Sequence, residues 1–314
     1  YGVMRITFVD DRPDAYVGSN RNDVLNGSDS ADRLGGLGGA DVINGGTGAD
    51  RLEGGAGNDT IHGGDHADRI IAGQGDDIVS GGNGRDVVIL GGGDDVFRDN
   101  SQGGSNGADT VRGGAGSDLL KGRSGADTLS GGSGADSISG GQGKDNLLGN
   151  QGSDALWGGG GGDAIYGGAG DDTLRGEAGR DALFGGTGNN RIFGGSGRDQ
   201  INAGNGRDVI VAGSGSDFIA SDASINPRGN RRGSPDRVDA GPGNDTVFSG
   251  PGNDIVFGRS GNDRITGGLG SDFLSGGGGN DVITGARVGP QGPDGNDRIN
   301  AGSGNDLVTT GSRG

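Results

Sequence analysis

One nine-residue phrase, Gly-Gly-x-Gly-x-Asp-x-Φ-x with Φ a bulky apolar residue, recurs thirty times between Gly18 and Thr309. It is clearest where it runs unbroken: Gly45 to Glu53 leads straight into Gly54 to His62. The sixth position is Asp in twenty-nine copies, with Asn190 the exception; the eighth is apolar in all thirty; the fourth is Gly in twenty-six. The step between sixth positions is nine except from Asp95 to Asp109, Asp217 to Asp236 and Asp281 to Asp297. A period this short holds one strand and one turn, which predicts a solenoid.

Each position then has a physical task. The last three residues of a phrase form a very short strand, so the eighth points one way while the seventh and ninth point the other. Leu25, Ile43, Ile61, Leu129, Ile165, Ile210 and Val256 belong to the inward apolar row. The glycine-rich hexapeptide must turn the chain, because glycine tolerates positive φ. Two phrases make one turn of about eighteen residues, which predicts an all-β solenoid of two short-strand parallel sheets. Thirty phrases give about fifteen turns and, at a strand spacing of ~4.8 Å, a stack of roughly 70 Å.

The same stacking places one Asp above another along each edge. A column of carboxylates at strand spacing repels itself unless cations lie between the rungs. Carboxylates and main-chain carbonyls, without His or Cys ligands, form a hard oxygen site that suits Ca²⁺ better than octahedral, water-retaining Mg²⁺. Composition points the same way. With 82 glycines, the unfolded chain is unusually favourable in entropy, and only one residue in each phrase enters the core. Metal binding and folding are therefore expected to be one event.

These residues resemble the RTX, or hemolysin-type, calcium-binding repeats, which fold as a calcium-stabilised parallel β-roll. The resemblance implies that each ion lies between two loops one turn apart, held by Asp carboxylates and by carbonyls of the glycine-rich turn. One ion is then expected between Asp41 and Asp59, and another between Asp50 and Asp68. Carried residue by residue, the ligands are Asp41, Asp50, Asp59, Asp77, Asp86, Asp95, Asp109, Asp118, Asp127, Asp136, Asp145, Asp154 and Asp163. The set continues through Asp172, Asp181, Asp199, Asp208, Asp217, Asp245, Asp254, Asp263, Asp272, Asp281, Asp297 and Asp306. Two columns leave room for at most about twenty-eight ions. Weak or ion-free sites are expected where the phrase degrades: at Asp32, whose phrase lacks the central glycines; at Asp68, beside His66; at Asn190; and at Asp236, after Arg231-Arg232.

The resemblance also implies secretion to the bacterial cell surface or beyond, with export directed by a C-terminal signal outside the repeats. The absence of Cys agrees with folding that needs no oxidation. The formal charge of −17 would become positive with calcium bound, which makes an anionic polysaccharide a possible partner.

Three regions follow: an N-terminal strand segment (1–17) serving as a cap or donor strand, the repeat array (18–309), and a short tail (310–314). Tyr1 to Val9 alternates as a strand, with Met4, Ile6 and Phe8 on one side. A donor strand would pair with the open edge of a second copy, so head-to-tail self-association is expected. Insertions at 99–103, 221–230 and 285–291 should leave the turns as surface loops; the second carries Pro227, Arg228, Arg231 and Arg232 nearby. Trp157, Tyr166, Phe184, Phe193, Phe248 and Phe257 fall at outward ninth positions and Phe218 and Phe273 at seventh ones, which offers lateral packing surfaces.

Catalysis finds no support. His62 and His66 are separated by a strand and a turn, and no helix follows any Gly-x-Gly-x-x-Gly string. No basic, aromatic-lined motif indicates nucleic acid, and no apolar run approaches a membrane span. The sequence thus reads as a calcium-binding structural protein of an extracellular fibre, surface layer or matrix. Two alternatives remain, a secretion and folding module of a larger toxin, protease or lipase, or an adhesin for anionic glycans.

Overall fold

The inward apolar row organises the molecule. In a computed structural model, which describes residues 4–7, 15–99, 107–222, 233–286 and 295–310, every described residue in regular structure lies in a β-strand. Strands are numbered β1 to β32 in chain order. The chain divides into two compact units, Tyr1–Leu156 and Trp157–Gly314.

In the first unit the odd strands, from β1 (Met4–Thr7) to β15 (Ser137–Gln142), form one parallel sheet. The even strands, from β2 (Ala15–Val17) to β16 (Asn146–Gln151), form the other. The second unit repeats the pattern: odd strands run from β19 (Thr173–Ala178) to β31 (Arg298–Ser303), and even ones from β18 (Ala164–Ala169) to β32 (Leu307–Thr309). Register follows the eighteen-residue step. Leu34 in β4 (Arg33–Gly38) pairs with Leu52 in β6 (Arg51–Ala56), and Leu52 with Ile70 in β8 (Arg69–Gln74). The eighth-position side chains are buried throughout, from Leu25 and Ile43 to Leu274 and Ile283.

The strands are longer than the three residues expected. Most span six, because the first three residues of the following phrase continue the ladder: Gly55 pairs with Gly73 just as Leu52 pairs with Ile70. After the outward ninth residue the next position points inward again, so position one is a second buried row, as at Gly45 and Gly54. The turn proper is confined to positions four to six. Position two takes positive φ close to the adjacent turn, which favours glycine: a Cβ on Gly64, at φ 121°, would lie 1.9 Å from the Gly46 carbonyl oxygen, although Leu37, Arg123, Asn150, Glu177 and Arg259 hold the same conformation elsewhere.

The N-terminal segment gives two strands rather than one. Ile6 pairs with Leu25 of β3 (Asp23–Asn26), and Tyr16 pairs with Leu34, so both take the register of eighth-position residues. Tyr1 to Val3 and Phe8 lie outside the described residues, as do most of the three insertions (including Pro227, Arg228, Arg231 and Arg232) and residues 311–314. The described residues on either side of each insertion keep register. Val88 in β10 (Val87–Gly92) pairs directly with Val111 in β12 (Thr110–Ala115), and Leu274 in β29 (Phe273–Gly278) pairs with Ile299.

Candidate metal centre

In each unit the sixth-position aspartates build two ladders, one on each edge. The Asp32 main-chain N–H donates to Asp50 Oδ1 at 2.7 Å, the Asp50 N–H to Asp68 Oδ1 at 2.7 Å, and the Asp68 N–H to Asp86 Oδ1 at 2.8 Å. The other edge runs Asp41 to Asp59 to Asp77 to Asp95, each step 2.8 Å. Insertions do not break the ladders: the Asp95 N–H reaches Asp118 Oδ1 and the Asp208 N–H reaches Asp236 Oδ1, both at 2.9 Å. All the aspartates predicted as ligands take part in these ladders, as do Asp23, Asp32, Asp68 and Asp236.

From Asp41 onward, one oxygen of each carboxylate is thereby used. The second behaves differently. Oδ2 of Asp41, Asp50, Asp59, Asp68 and Asp86 is buried and has no hydrogen-bond donor in the protein. Position-one glycine shows what surrounds it. A Cβ on Gly45 would lie 2.3 Å from Asp50 Oδ2 and 2.4 Å from the Gly63 carbonyl oxygen, one turn further on. Gly54 (Asp59 Oδ2 2.4 Å, Ala72 O 2.5 Å) and Gly63 (Asp68 Oδ2 2.4 Å, Gly81 O 2.4 Å) repeat this cradle. A buried carboxylate oxygen and a carbonyl oxygen meet over a residue without a side chain. That is an all-oxygen donor set, and it fits Ca²⁺. Among the described residues, no three His, Cys, Asp or Glu side chains surround one point, so carbonyls must complete each shell.

Burial makes the columns hungry for positive charge. It pushes Asp59 up to about 6 and Asp68 up to about 8, partly offset by the ladder N–H and reinforced by neighbouring column carboxylates. Asp77 is raised to about 7 and Asp86 to about 6, again chiefly by burial. A proton or a cation must supply what the protein does not.

The degraded phrases have distinct geometries. Asp23 and Asp32 find donors for Oδ2 within their own phrases, from the Ser19 and Ser28 main-chain N–H groups, each at 2.7 Å, and from both hydroxyls. The Asp68 cradle matches its neighbours, because His66 takes the left-handed conformation that glycine takes elsewhere, at φ 82°. Reading position six alone also hides a feature of Asp77 and Asp95. Their position-one residues are Ala72 and Leu90, both fully buried, so side-chain carbon fills the place a glycine leaves open.

A third polar ladder escaped the sequence reading. At position five the direction reverses: the Asp76 N–H donates back to Asn58 Oδ1 at 3.1 Å, the Asp94 N–H to Asp76 Oδ1 at 2.9 Å, and the Ser117 N–H to Asp94 Oδ1 at 2.7 Å. Asn244, Asn262, Asn280 and Asn305 repeat it in the second unit. The recurring Asn-Asp dipeptide was the available signal, since a short amide suits main-chain capping in turns.

Stacked parallel turns with a buried carboxylate column on each edge define a cation-binding β-solenoid. A family model for the RTX calcium-binding nonapeptide repeat matches successive stretches from residue 10 to residue 312, and its matches break only near the three insertions. The chain belongs to that family, whose repeats are calcium-binding structural units, and proteins that carry them are typically secreted. No curated protein matches the chain. No helix among the described residues is long and apolar enough to cross a membrane.

Proposed function

We propose that this chain is a secreted, non-catalytic structural protein that folds on calcium and serves as a subunit of an extracellular fibre, surface layer or matrix on bacterial cells. The observation that carries the reading is the pair of buried columns whose Oδ2 atoms lack donors, repeated along the chain as its main architectural feature. Calcium fills the cradles that keep glycine at position one, such as those of Asp41, Asp50, Asp59 and Asp86, and removes the repulsion along each column.

Self-association is supported by the outer faces of the second unit. Tyr166 and Phe184 stack at 4.9 Å with planes 6° apart, and Phe218 and Phe248 meet at 5.7 Å with each 44 % exposed. Such pairs offer flat apolar surface for lateral contact. On the odd sheet, Arg237 lies 5.0 Å from the Phe257 ring, and Arg298 lies 5.9 Å from Phe273. Cations held on rings suit an anionic polysaccharide as a matrix partner.

Sedimentation velocity in chelator and in millimolar calcium, at two protein concentrations, tests this reading. The expected result is an expanded chain that compacts with calcium and then forms larger, concentration-dependent species. Compaction to one species at both concentrations would instead favour a folding and secretion module of a larger protein. No compaction would overturn the calcium reading itself.

A further inference from the structure

Within the second unit, one edge departs from the cradle geometry over four consecutive turns, those of Asn190, Asp208, Asp236 and Asp254. At the first, a Cβ on Gly185 would lie 2.7 Å from Asn190 Nδ2 and 2.3 Å from the Ala203 carbonyl oxygen. An amide nitrogen thus stands where the other turns place Asp Oδ2. It donates to Ala203 O at 3.3 Å and to Gly188 O at 3.4 Å. A donor and a carbonyl satisfy each other there, and no ion is required between them.

The next three turns fill position one with side chains. Ala203, Ser221 and Ser249 are all fully buried. Ser221 Oγ donates to the Ser249 carbonyl oxygen at 2.8 Å, and Ser249 Oγ donates to Gly267 O at 2.7 Å. Each accepting carbonyl is the position-one carbonyl one turn on, the same atom that elsewhere faces Asp Oδ2. One of its lone pairs is already engaged, and the serine side chain occupies the space that glycine leaves open elsewhere.

We propose that the stretch from Asn190 to Ser249 on this edge is an ion-free clasp, in which an amide and two hydroxyls take over the position-one carbonyls that calcium would use in the regular turns, with the Ala203 methyl filling the cradle between them. It rests on the calcium reading above and deepens it. Calcium loading is discontinuous, and these turns hold together at calcium levels too low to fill the Asp50, Asp68 and Asp86 cradles. The opposite edge is not clasped in this way. Ala212 and Ala240 fill space there but donate nothing, and Gly194 keeps an open cradle facing Asp199 Oδ2 and Ala212 O.

The clasp is reversible by design of the repeat, because the carboxylates of Asp208, Asp236 and Asp254 are still in place beside Asn190, Ser221 and Ser249 respectively. Ser249→Gly recreates a regular cradle at Asp254, and Asn190→Asp recreates one against Ala203 O. Bound calcium per chain, counted by equilibrium dialysis on wild type and both variants after circular dichroism confirms that each folds, is the test. We expect about one additional ion in each variant. Unchanged or reduced counts in both would overturn the clasp, whereas a wild type that binds no calcium would overturn the calcium reading as well. Hydrogen exchange on the wild-type chain gives a second readout that needs no variant. At limiting calcium, amides of residues 190–222 and 233–254 should exchange more slowly than those of residues 45–86, and the reverse order would overturn the proposal.

Discussion

The column from Asp50 to Asp86 and the column from Asn190 to Asp254 are built on the same nine-residue step, yet they meet one electrostatic problem by different means. In the first, position one is glycine in every turn, and the buried Oδ2 atoms have no donor. In the second, one carboxylate is replaced by an amide and two glycines by serines whose hydroxyls engage the carbonyls. Buried polar atoms must be paired. The comparison teaches that calcium is one of several partners this architecture accepts, and that position one, as much as the aspartate, decides which is used.

Acidity should have the largest effect, and it acts on both columns, since burial also raises Asp208 to about 6, Asp236 to about 7 and Asp254 to about 8. Because burial raises the regular-column aspartates above their unfolded value of 3.8, to about 6 at Asp59 and Asp86 and about 8 at Asp68, protons stabilise the metal-free fold. That stabilisation is complete below the unfolded value and is lost as pH rises through about 6 to 8. In chelator, far-UV circular dichroism should therefore show more sheet at pH 4 than at pH 8, and the calcium midpoint should fall as pH rises. More sheet at pH 8 in chelator would contradict the desolvated-carboxylate account.

Core truncation ranks next. Leu52 is fully buried and stacks between Leu34 and Ile70, so Leu52→Ala should cost about 2–5 kcal/mol in excess calcium, read from denaturant unfolding. Its effect should stay local, because solenoid turns contact chiefly their neighbours. Gly45→Ala puts a methyl 2.3 Å from Asp50 Oδ2, so the chain should bind about one ion fewer and lose about 1–3 kcal/mol. Retained ion count in that variant would separate position one from the metal site. The smallest effect is expected at the surface: Phe184→Ala removes the stack with Tyr166 and should cost only about 0.5–1.5 kcal/mol. If the outer face mediates association, the same variant should nonetheless reduce the large species seen by sedimentation.

Much of this was legible in the sequence because the strongest constraints fall on single residue types. One apolar side chain per phrase must face inward, so Leu52, Ile61 and Ile70 announce both period and core. The carboxylate columns follow from the same arithmetic. Other features were hidden for physical reasons. Gly-Gly reads as a turn, but parallel pairing recruits position one into the strand, so Gly54 and Gly55 extend β6. Asn190 reads as a lost charge, whereas the structure shows a gained donor. Ser221 sits beside an irregular stretch whose composition says nothing of a hydroxyl aimed at a carbonyl one turn away. Asn58 and Asp76 occupy a variable position, and only stacking shows them as a ladder of reverse direction.

The central claim is that cations complete the buried carboxylate columns and that folding depends on them. A calcium titration of the chelated chain at pH 7, followed by far-UV circular dichroism with bound calcium counted on the same samples, tests it most directly. The account predicts that sheet signal and bound ions rise together and saturate at many ions per chain. Full sheet signal in chelator at pH 7, unchanged while calcium binds, would contradict it.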